Sequence, residues 1–396
     1  MSSPRKIRMG MVGGGPGSMI GPIHRAAANL DGQIELVCGV FSSKPEVSQQ
    51  LGRELFLSAE RCYASFEDMM EREAQLPPDK RMDFVAVVTP NHLHFPVARL
   101  ALQHGFHVLS DKPATLNFSE AEQLAQCVKE SGLLYGLTHT YAGYPMIKQA
   151  RDMVREGRLG RVRKVLVEYP QGWLSQAGIE GESKQAEWRL DPARSGASTC
   201  VGDIGSHAAH LSEYVTGSAI NAICADLGAV VESRKMDDDA TILLRFDNGA
   251  RGVLIASQIC AGEENNLKIR VYGEAGGLEW NHTDPNTLLF KPLDRNVQVI
   301  RAGGPEMTPL AAANCRTPGG HPEGYLEAFA NHYRNFAGQV RARLENRAPT
   351  ESEADVPGLP DALRGMRFIE SAVKASASEQ KWYSLPDIPF LQESTL

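Results

Sequence analysis

The sequence predicts an α/β chain in two parts: a doubly wound parallel sheet at the N-terminal end, then an α+β domain built on a large, mostly antiparallel open sheet. Three observations carry this. The 396 residues exceed what one ordinary core accommodates. Up to about residue 140, short unbroken apolar strands alternate with amphipathic helical segments, as a parallel sheet covered on both faces requires. After about residue 145, strands follow one another with few helices between them. The domains are accordingly placed at 1–140 and 141–396.

In the first part the strands fall at 7–12, 34–41, 84–88, 107–110 and 134–137. Helices fall between them at 24–30, 45–55, 66–73, 95–103 and 119–130. Right-handed crossovers then put helices on both faces. In the second part, a helix over 145–156 is ended by Gly157. Strands follow at 162–169, 222–231, 241–246, 251–260, 267–272, 278–281 and 287–290. Asp247-Asn248-Gly249, between two of them, is a hairpin turn signal. One face of this sheet is expected to be exposed, which invites a homodimer or homotetramer. The stretch 294–317 is rich in glycine and proline and reads as a mobile loop. Helices over 321–340 and 360–377 are expected to pack back toward the first domain.

Composition narrows the function classes. With 42% apolar and 22% charged residues, the chain has the make-up of a globular protein. A net charge of −7 without a Lys/Arg block argues against a nucleic-acid partner. The longest apolar runs, such as 84–88, are too short to span a bilayer, and no signal-peptide apolar region precedes the first strand. Seven scattered cysteines with no C-x-x-C pair indicate neither a disulfide framework nor a thiolate zinc site. A reducing cytoplasm is expected.

The turn after the first strand reads Gly13-Gly14-Gly15-Pro16-Gly17-Ser18-Met19-Ile20-Gly21, with helix from about Pro22. Such a strand–turn–helix lets the backbone approach a pyrophosphate, which rests on the helix N-terminus. Gly13 and Gly15 fit the G-x-G-x-x-G spacing, position 18 does not, and Gly21 becomes the third glycine if the turn is wider. This is the setting of a Rossmann dinucleotide site. The end of the second strand, Cys38 to Lys44, carries no Asp or Glu to hold the ribose diol of NAD. Ser42, Ser43 and Lys44 there are candidates to hold a 2′-phosphate, which tilts the reading slightly to NADP; they also read simply as the start of a turn. Thr89-Pro90-Asn91-His92-Leu93-His94 ends the third strand, where a nicotinamide ribose would lie, with Asn91 as its contact. His92 and His94 read as a loop and helix-capping pair rather than metal ligands.

Asp111-Lys112-Pro113 follows the strand 107–110. A lysine at the carboxyl end of a buried strand stands where open α/β sheets bind ligands, and Pro113 aims it. Burial makes a lysine suited to moving protons near neutral pH. Asp203 and His207 lie four apart at the start of what reads as an amphipathic helix, so they share a face. A carboxylate holding one imidazole nitrogen leaves the other free as a base. The same pair also reads as a capping Asp and a core His. A zinc site with His210 lacks a further ligand at metal spacing, and no metal is expected.

Together these segments resemble the Gfo/Idh/MocA oxidoreductase family, the relatives of glucose-fructose oxidoreductase and inositol dehydrogenase. The resemblance is carried by the Gly13–Gly21 turn with His24, Thr89 to His94, Asp111-Lys112-Pro113, Gly157-Arg158-Leu159-Gly160, and Asp203-x-Gly205-x-His207. His321-Pro322-Glu323-Gly324-Tyr325 and the later strands fit its second domain more loosely. Departures are Asp111 where the family usually has Glu, the wider glycine turn, and His210 where an Asp is common. The resemblance implies an NAD- or NADP-dependent oxidoreductase acting on a sugar, glycoside or cyclic polyol. It implies a catalytic set of Lys112, Asp203 and His207, in which His207 takes the hydroxyl proton, Asp203 orients it and Lys112 steadies the oxygen. Cofactor contacts are expected at Gly13, Gly15, Gly17, Ser18, Met19, Ile20, Ser42, Ser43, Lys44, Thr89, Asn91, His94, Asp111 and Lys112. Substrate contacts are expected at Tyr141, Tyr144, Trp173, Lys184, Arg189, His210 and His321, each of which also reads as ordinary packing or surface. The rival readings are a glycosidase that borrows and returns the hydride, and a cofactor-binding regulator without catalysis.

Overall fold

A computed structural model describes residues 5–178, 184–232 and 234–393. The chain divides into two compact units, Met1–Thr138 with Phe329–Leu363, and His139–Ala328 with Arg364–Leu396. The first unit thus takes in 329–363, and the second is interrupted rather than running unbroken from 141 to 396.

In the first unit, β1 (Ile7–Gly13), β2 (Ile34–Val40), β3 (Phe84–Val88), β4 (His107–Ser110) and β5 (Tyr135–Leu137) form an all-parallel sheet in the order β2-β1-β3-β4-β5. Every residue of β3 is buried, so the apolar run Phe-Val-Ala-Val-Val has no solvent face to serve. The crossovers are α1 (Ile20–Leu30), α2 (Pro45–Glu54) with α3 (Phe66–Gln75), α4 (His94–Gln103) and α5 (Phe118–Ser131). A lone parallel bridge, Gly39 to Cys62, extends the sheet one residue pair beyond β2. The order reverses at β1, and ligands of such sheets bind at the carboxyl ends of the strands beside that reversal.

Two contacts explain why 329–363 belongs here. Phe336 packs edge-on against Phe84 at 5.4 Å, and a side chain at Gly136 would meet Phe336. Pro357 accepts a hydrogen bond from Leu137 N at 2.7 Å, so the late segment lies against β5.

In the second unit, nine strands follow the order β13-β12-β11-β10-β6-β9-β8-β7-β14. They are β6 (Val162–Pro170), β7 (Ile220–Gly228), β8 (Asp239–Phe246), β9 (Arg251–Ser257), β10 (Lys268–Gly273), β11 (Gly276–Asn281), β12 (Thr287–Pro292), β13 (Gln298–Arg301) and β14 (Tyr383–Ser384). All neighbours are antiparallel except β6 and β9. The Asp247–Gly249 turn joins β8 to β9, with Gly249 at φ +85° where a side chain is disfavoured. Ala240, Ile242, Leu244 and Phe246 of β8 are buried, while Leu243 on the other face, with Ile255 of β9, is 39% and 38% exposed. Helices α6 (Pro145–Arg155) and α9 (Ser206–Thr216) pack on this sheet, and between them in sequence come the short α7 (Lys184–Arg189) and α8 (Pro192–Ser195).

Three differences from the sequence reading have physical causes. The stretch 294–317 is not the mobile loop its composition predicts. It contains β13, paired to β12, and a helix at Pro309–Ala313, whose cap Thr308 donates its hydroxyl to Asp152 at 2.5 Å and its N–H to Gln149 at 2.7 Å. The helix Leu359–Ser376 belongs mostly to the second unit, not to the first. There Arg367 donates to Ile220 O at 3.1 Å and Ser376 accepts from Leu227 N at 2.9 Å. The helix after the glycine turn begins at Ile20, earlier than Pro22, because the Ser18 hydroxyl accepts from Gly21 N at 3.1 Å. Among the described residues no helix is long and apolar enough to cross a membrane.

Candidate functional site

The glycine turn ends β1. Gly13, Gly14 and Gly17 hold φ of +90°, +67° and +78°, where other residues are strained. A Cβ on Gly13 would overlap the Val88 carbonyl, and one on Gly15 the Phe41 carbonyl. Gly21, inside the first turn of α1, would overlap the Gly14 carbonyl, so it fills the third-glycine role of close helix–turn packing. Arg25 donates to Gly14 O at 2.7 Å and braces the loop from behind. A bare backbone ahead of a helix N-terminus fits a dinucleotide pyrophosphate. Met19 is 66% exposed there, and Ile20 opens the helix. Gly13→Ala should cost roughly 2–4 kcal/mol, from positive-φ strain plus overpacking against backbone. A fall of several degrees in calorimetric Tm checks it, and an unshifted Tm would mean that the turn relaxes freely.

Ser42, Ser43 and Lys44 sit just past β2, where Ser42 Oγ accepts from Lys44 N at 3.2 Å and Lys44 opens α2. Ser43 and Lys44 are exposed. Thr89 follows β3, and Asn91 starts a 3-10 turn with 7% exposure.

Asp111 is the anchor of the lysine turn. Its Oδ1 accepts from Lys112 N at 2.8 Å and from the Thr138 hydroxyl at 3.0 Å. Its Oδ2 lies 3.6 Å from His24 Nε2, and His24 Nδ1 lies 2.6 Å from the Tyr333 hydroxyl. Burial alone would raise the Asp111 carboxyl; the hydrogen bond to His24 and the charges of His24, Lys112 and His94 outweigh it and hold the group below the usual carboxylate range. His94 does not cap α4. Its Nδ1 lies 2.6 Å from Pro113 O and its Nε2 2.8 Å from Thr89 O, so it ties the lysine turn to the end of β3. Burial lowers its basicity. Lys112 is half-buried, and its bond to Pro113 is cis.

In the second unit, Asp203 lies not in a plain α-helix but in a π turn, Val201–Gly205, that leads into α9. The wider turn alters the four-residue face-sharing expected of Asp203 and His207, and such turns recur at functional sites. Asp203 Oδ2 accepts from Gln258 Nε2 at 3.0 Å and lies 3.3 Å from Arg189 Nε. The Arg189 guanidinium stacks 4.4 Å over Trp188 and lies 5.9 Å from the Trp173 ring.

His207 faces a group the sequence reading missed. His139 Nδ1 lies 3.4 Å from His207 Nδ1, and the His139 ring stacks on His210 at 4.0 Å and 4°. Tyr141 meets His207 edge-on at 4.9 Å. Behind it a polar chain runs outward: the Tyr141 and Tyr169 hydroxyls touch, Tyr169 donates to Asn265 Oδ1 at 2.6 Å, Gln171 donates to the same oxygen at 2.6 Å, and Trp173 donates to Gln171 at 3.1 Å. The Tyr144 hydroxyl lies 3.3 Å from His282 Nδ1. Burial pushes the Tyr141, Tyr144 and Tyr169 phenols up and His282 down, so this wall presents neutral donors and acceptors at pH 7.

Of the expected substrate residues, the structure therefore gathers Tyr141, Tyr144 and His210 about His207, with Arg189 and Trp173 about Asp203. His321 stands apart, exposed in a turn where its carbonyl accepts from Thr317 Oγ1 at 2.7 Å. Lys184 opens α7, but its side chain lies outside the described residues. The sequence reading missed His139, Tyr169, Asn265, Gln258 and His282. His139 alone carried a signal, standing just past the carboxyl end of β5. Among the described residues no group of three His, Cys, Asp or Glu is placed to hold a metal ion.

Comparison with known proteins adds independent information. Residues 7–139 match the sequence model described as the oxidoreductase family with an NAD-binding Rossmann fold, and residues 147–279 match the GFO/IDH/MocA C-terminal domain. The uncharacterized oxidoreductase YfiI of Bacillus subtilis is 30% identical over 384 residues, 96% of each chain. Levoglucosan dehydrogenase of Pseudarthrobacter phenanthrenivorans is 25% identical over 375 residues, 87% of this chain and 90% of its own. The crystal structure of an inositol dehydrogenase homolog from Azotobacter vinelandii, complexed with NADH and myo-inositol, superposes with a TM-score of 0.88 at 34% identity, covering 96% of this chain and 98% of that one.

Proposed function

The chain belongs to the Gfo/Idh/MocA family of NAD-binding oxidoreductases, and from that premise we propose that it transfers a hydride between a nicotinamide dinucleotide and a carbinol or carbonyl carbon of a cyclic polyol, sugar or glycoside. The observation that carries the substrate class is the wall of rings, hydroxyls and amides around His207. A polyhydroxylated ring needs flat apolar faces and many neutral hydrogen-bonding partners, and Tyr141, Tyr144, Tyr169, Asn265 and His282 supply both. The myo-inositol and levoglucosan named for the relatives are of the same chemical class.

In this reading Gly13, Gly15, Gly17, Ser18, Met19 and Ile20 hold the dinucleotide phosphates, with Thr89, Asn91, His94 and Asp111 nearer its nicotinamide end. The cofactor, when bound, supplies the hydride acceptor or donor. His207 takes the hydroxyl proton during oxidation. Asp203, held by Gln258 and Arg189 four positions before the base, is the carboxylate of the set. The Lys112 ammonium hydrogen-bonds the reacting oxygen and steadies its charge. Absorbance change with NAD and NADP over a panel of cyclic polyols, anhydrosugars and glycosides tests the reading; no turnover of any member, in a preparation that binds the cofactor, would overturn it.

Two finer proposals accompany it. Without a carboxylate after β2 to repel a 2′-phosphate, and with Lys44 exposed there, NADP should bind at least as tightly as NAD. Calorimetric titration with both decides, and a tenfold or larger preference for NAD would refute it. The face of the nine-stranded sheet that exposes Leu243 and Ile255 should form a homodimer or homotetramer interface. Light scattering at micromolar concentration that shows only the 43.2 kDa chain would count against it.

A further inference from the structure

We infer that His139 is a positioning residue for catalysis: its Nδ1 accepts a hydrogen bond from Nδ1–H of His207 and so leaves the lone pair of His207 on Nε2. The inference rests on the reading of His207 as the base. The two Nδ1 atoms face each other at 3.4 Å, with ring planes at 83°. A neutral imidazole has one donor nitrogen and one acceptor nitrogen. Two facing Nδ1 atoms bond to each other only when one carries a proton and the other does not.

The two arrangements have opposite consequences. If His139 donates, His207 accepts at Nδ1, carries its proton on Nε2 and has no lone pair there for a substrate hydroxyl. If His207 donates, its Nε2 is the basic atom, and His139 carries its own proton on Nε2. Only the second arrangement gives a base. It also suits the step that follows. When His207 takes the hydroxyl proton at Nε2, it becomes an imidazolium that still donates from Nδ1, and the bond to His139 becomes charge-assisted and stronger. His139 thus favours both the basic tautomer before the transfer and the cation after it.

His139 is held for this role. Its ring lies flat on His210, 4.0 Å away and 4° from parallel, and both are buried, at 3% and 7% exposure. Its carbonyl accepts from Ala142 N at 3.0 Å, which fixes the backbone at the start of the 3-10 turn Thr140–Gly143. His207 is buried to 8% exposure, so water competes weakly for its Nδ1. The role expected of Asp203, holding the tautomer of the base, passes to a histidine 68 positions earlier in the chain.

The test has a spectroscopic arm and a kinetic arm. In protein carrying ¹⁵N-labelled histidine, with the His207 signals assigned by their loss in His207→Ala, Nδ1 of His207 is expected protonated and Nε2 unprotonated at neutral pH. Protonation at Nε2 instead would overturn the inference. In the kinetic arm, His139→Phe keeps a ring to stack on His210 but no acceptor. Its kcat should fall at least about tenfold with KM within a few fold, since a base in the wrong tautomer forfeits much of the usual 10²–10⁴-fold contribution. His139→Asn places an acceptor oxygen near the lost Nδ1 and should recover kcat to within a few fold of the unchanged enzyme. An unchanged kcat in His139→Phe, or an Asn variant no better than Phe, overturns the inference. Should the Phe variant fail to fold, the wild-type spectrum and the Asn variant decide. The two readings fail separately: turnover surviving in His207→Ala removes the base itself, whereas a dead His207→Ala beside an Nε2-protonated His207 removes only the role of His139.

Discussion

Lys112→Met should leave dinucleotide binding within a few fold and cut turnover of a confirmed substrate by roughly 10²-fold or more, the ordinary scale for a positioned proton-handling group. Groups other than the ammonium hold the backbone of the lysine turn. Asp111 holds it through Lys112 N and the Thr138 hydroxyl, and His94 ties Pro113 O to Thr89 O. Methionine keeps most of the apolar stem of the side chain, so the substitution removes the charge and the three donors and little else. The expected signature is a fall in kcat and kcat/KM together. Titration calorimetry with the dinucleotide and a steady-state assay measure the two halves. A near wild-type rate would make Lys112 an ordinary loop residue and sink its catalytic assignment.

What could be read from the sequence, and what could not, divides by the range of the interactions involved. The parallel sheet was legible because β3 is apolar at every position and lies between helical segments. The β8–β9 hairpin was legible because Asn-Gly in a turn answers a local backbone requirement. The late helix over 321–340 was expected at the first domain, and 329–363 does fall in the first unit; its partners there, Phe84 and Gly136 against Phe336, lie some 200 to 250 positions away and were not legible. The glycine and proline content of 294–317 concealed a strand and a helix whose stability comes from β12, Gln149 and Asp152. The site shows the same limit. Lysine, aspartate and histidine stood out by motif. His139 on His210, Gln258 on Asp203 and Asn265 on Tyr169 are pairings of remote segments, and no local pattern announces them. The π turn at Val201–Gly205 was hidden for another reason: Gly-Asp before a helical stretch reads as an ordinary helix start.

His207→Ala should cut turnover by roughly 10²–10⁴-fold, because no other base is assigned to the substrate hydroxyl. Cofactor binding should persist, since the glycine turn and the Thr89–His94 segment proposed to hold the dinucleotide do not include His207. Asp203→Asn should cost less. Asparagine still offers an oxygen to Gln258 Nε2 and Arg189 Nε, so the local geometry survives while the negative charge is lost. The informative measurement is the double change, Lys112→Met with His207→Ala. If the two side chains act on one hydroxyl, removing the second after the first costs little, and the combined loss is far smaller than the product of the single losses. If they serve separate functions, one in folding or binding and one in chemistry, the losses multiply. Single-variant rates cannot make this distinction, because either arrangement yields two slow enzymes. A multiplicative double variant would break the proposed catalytic set even if each single variant fell as expected.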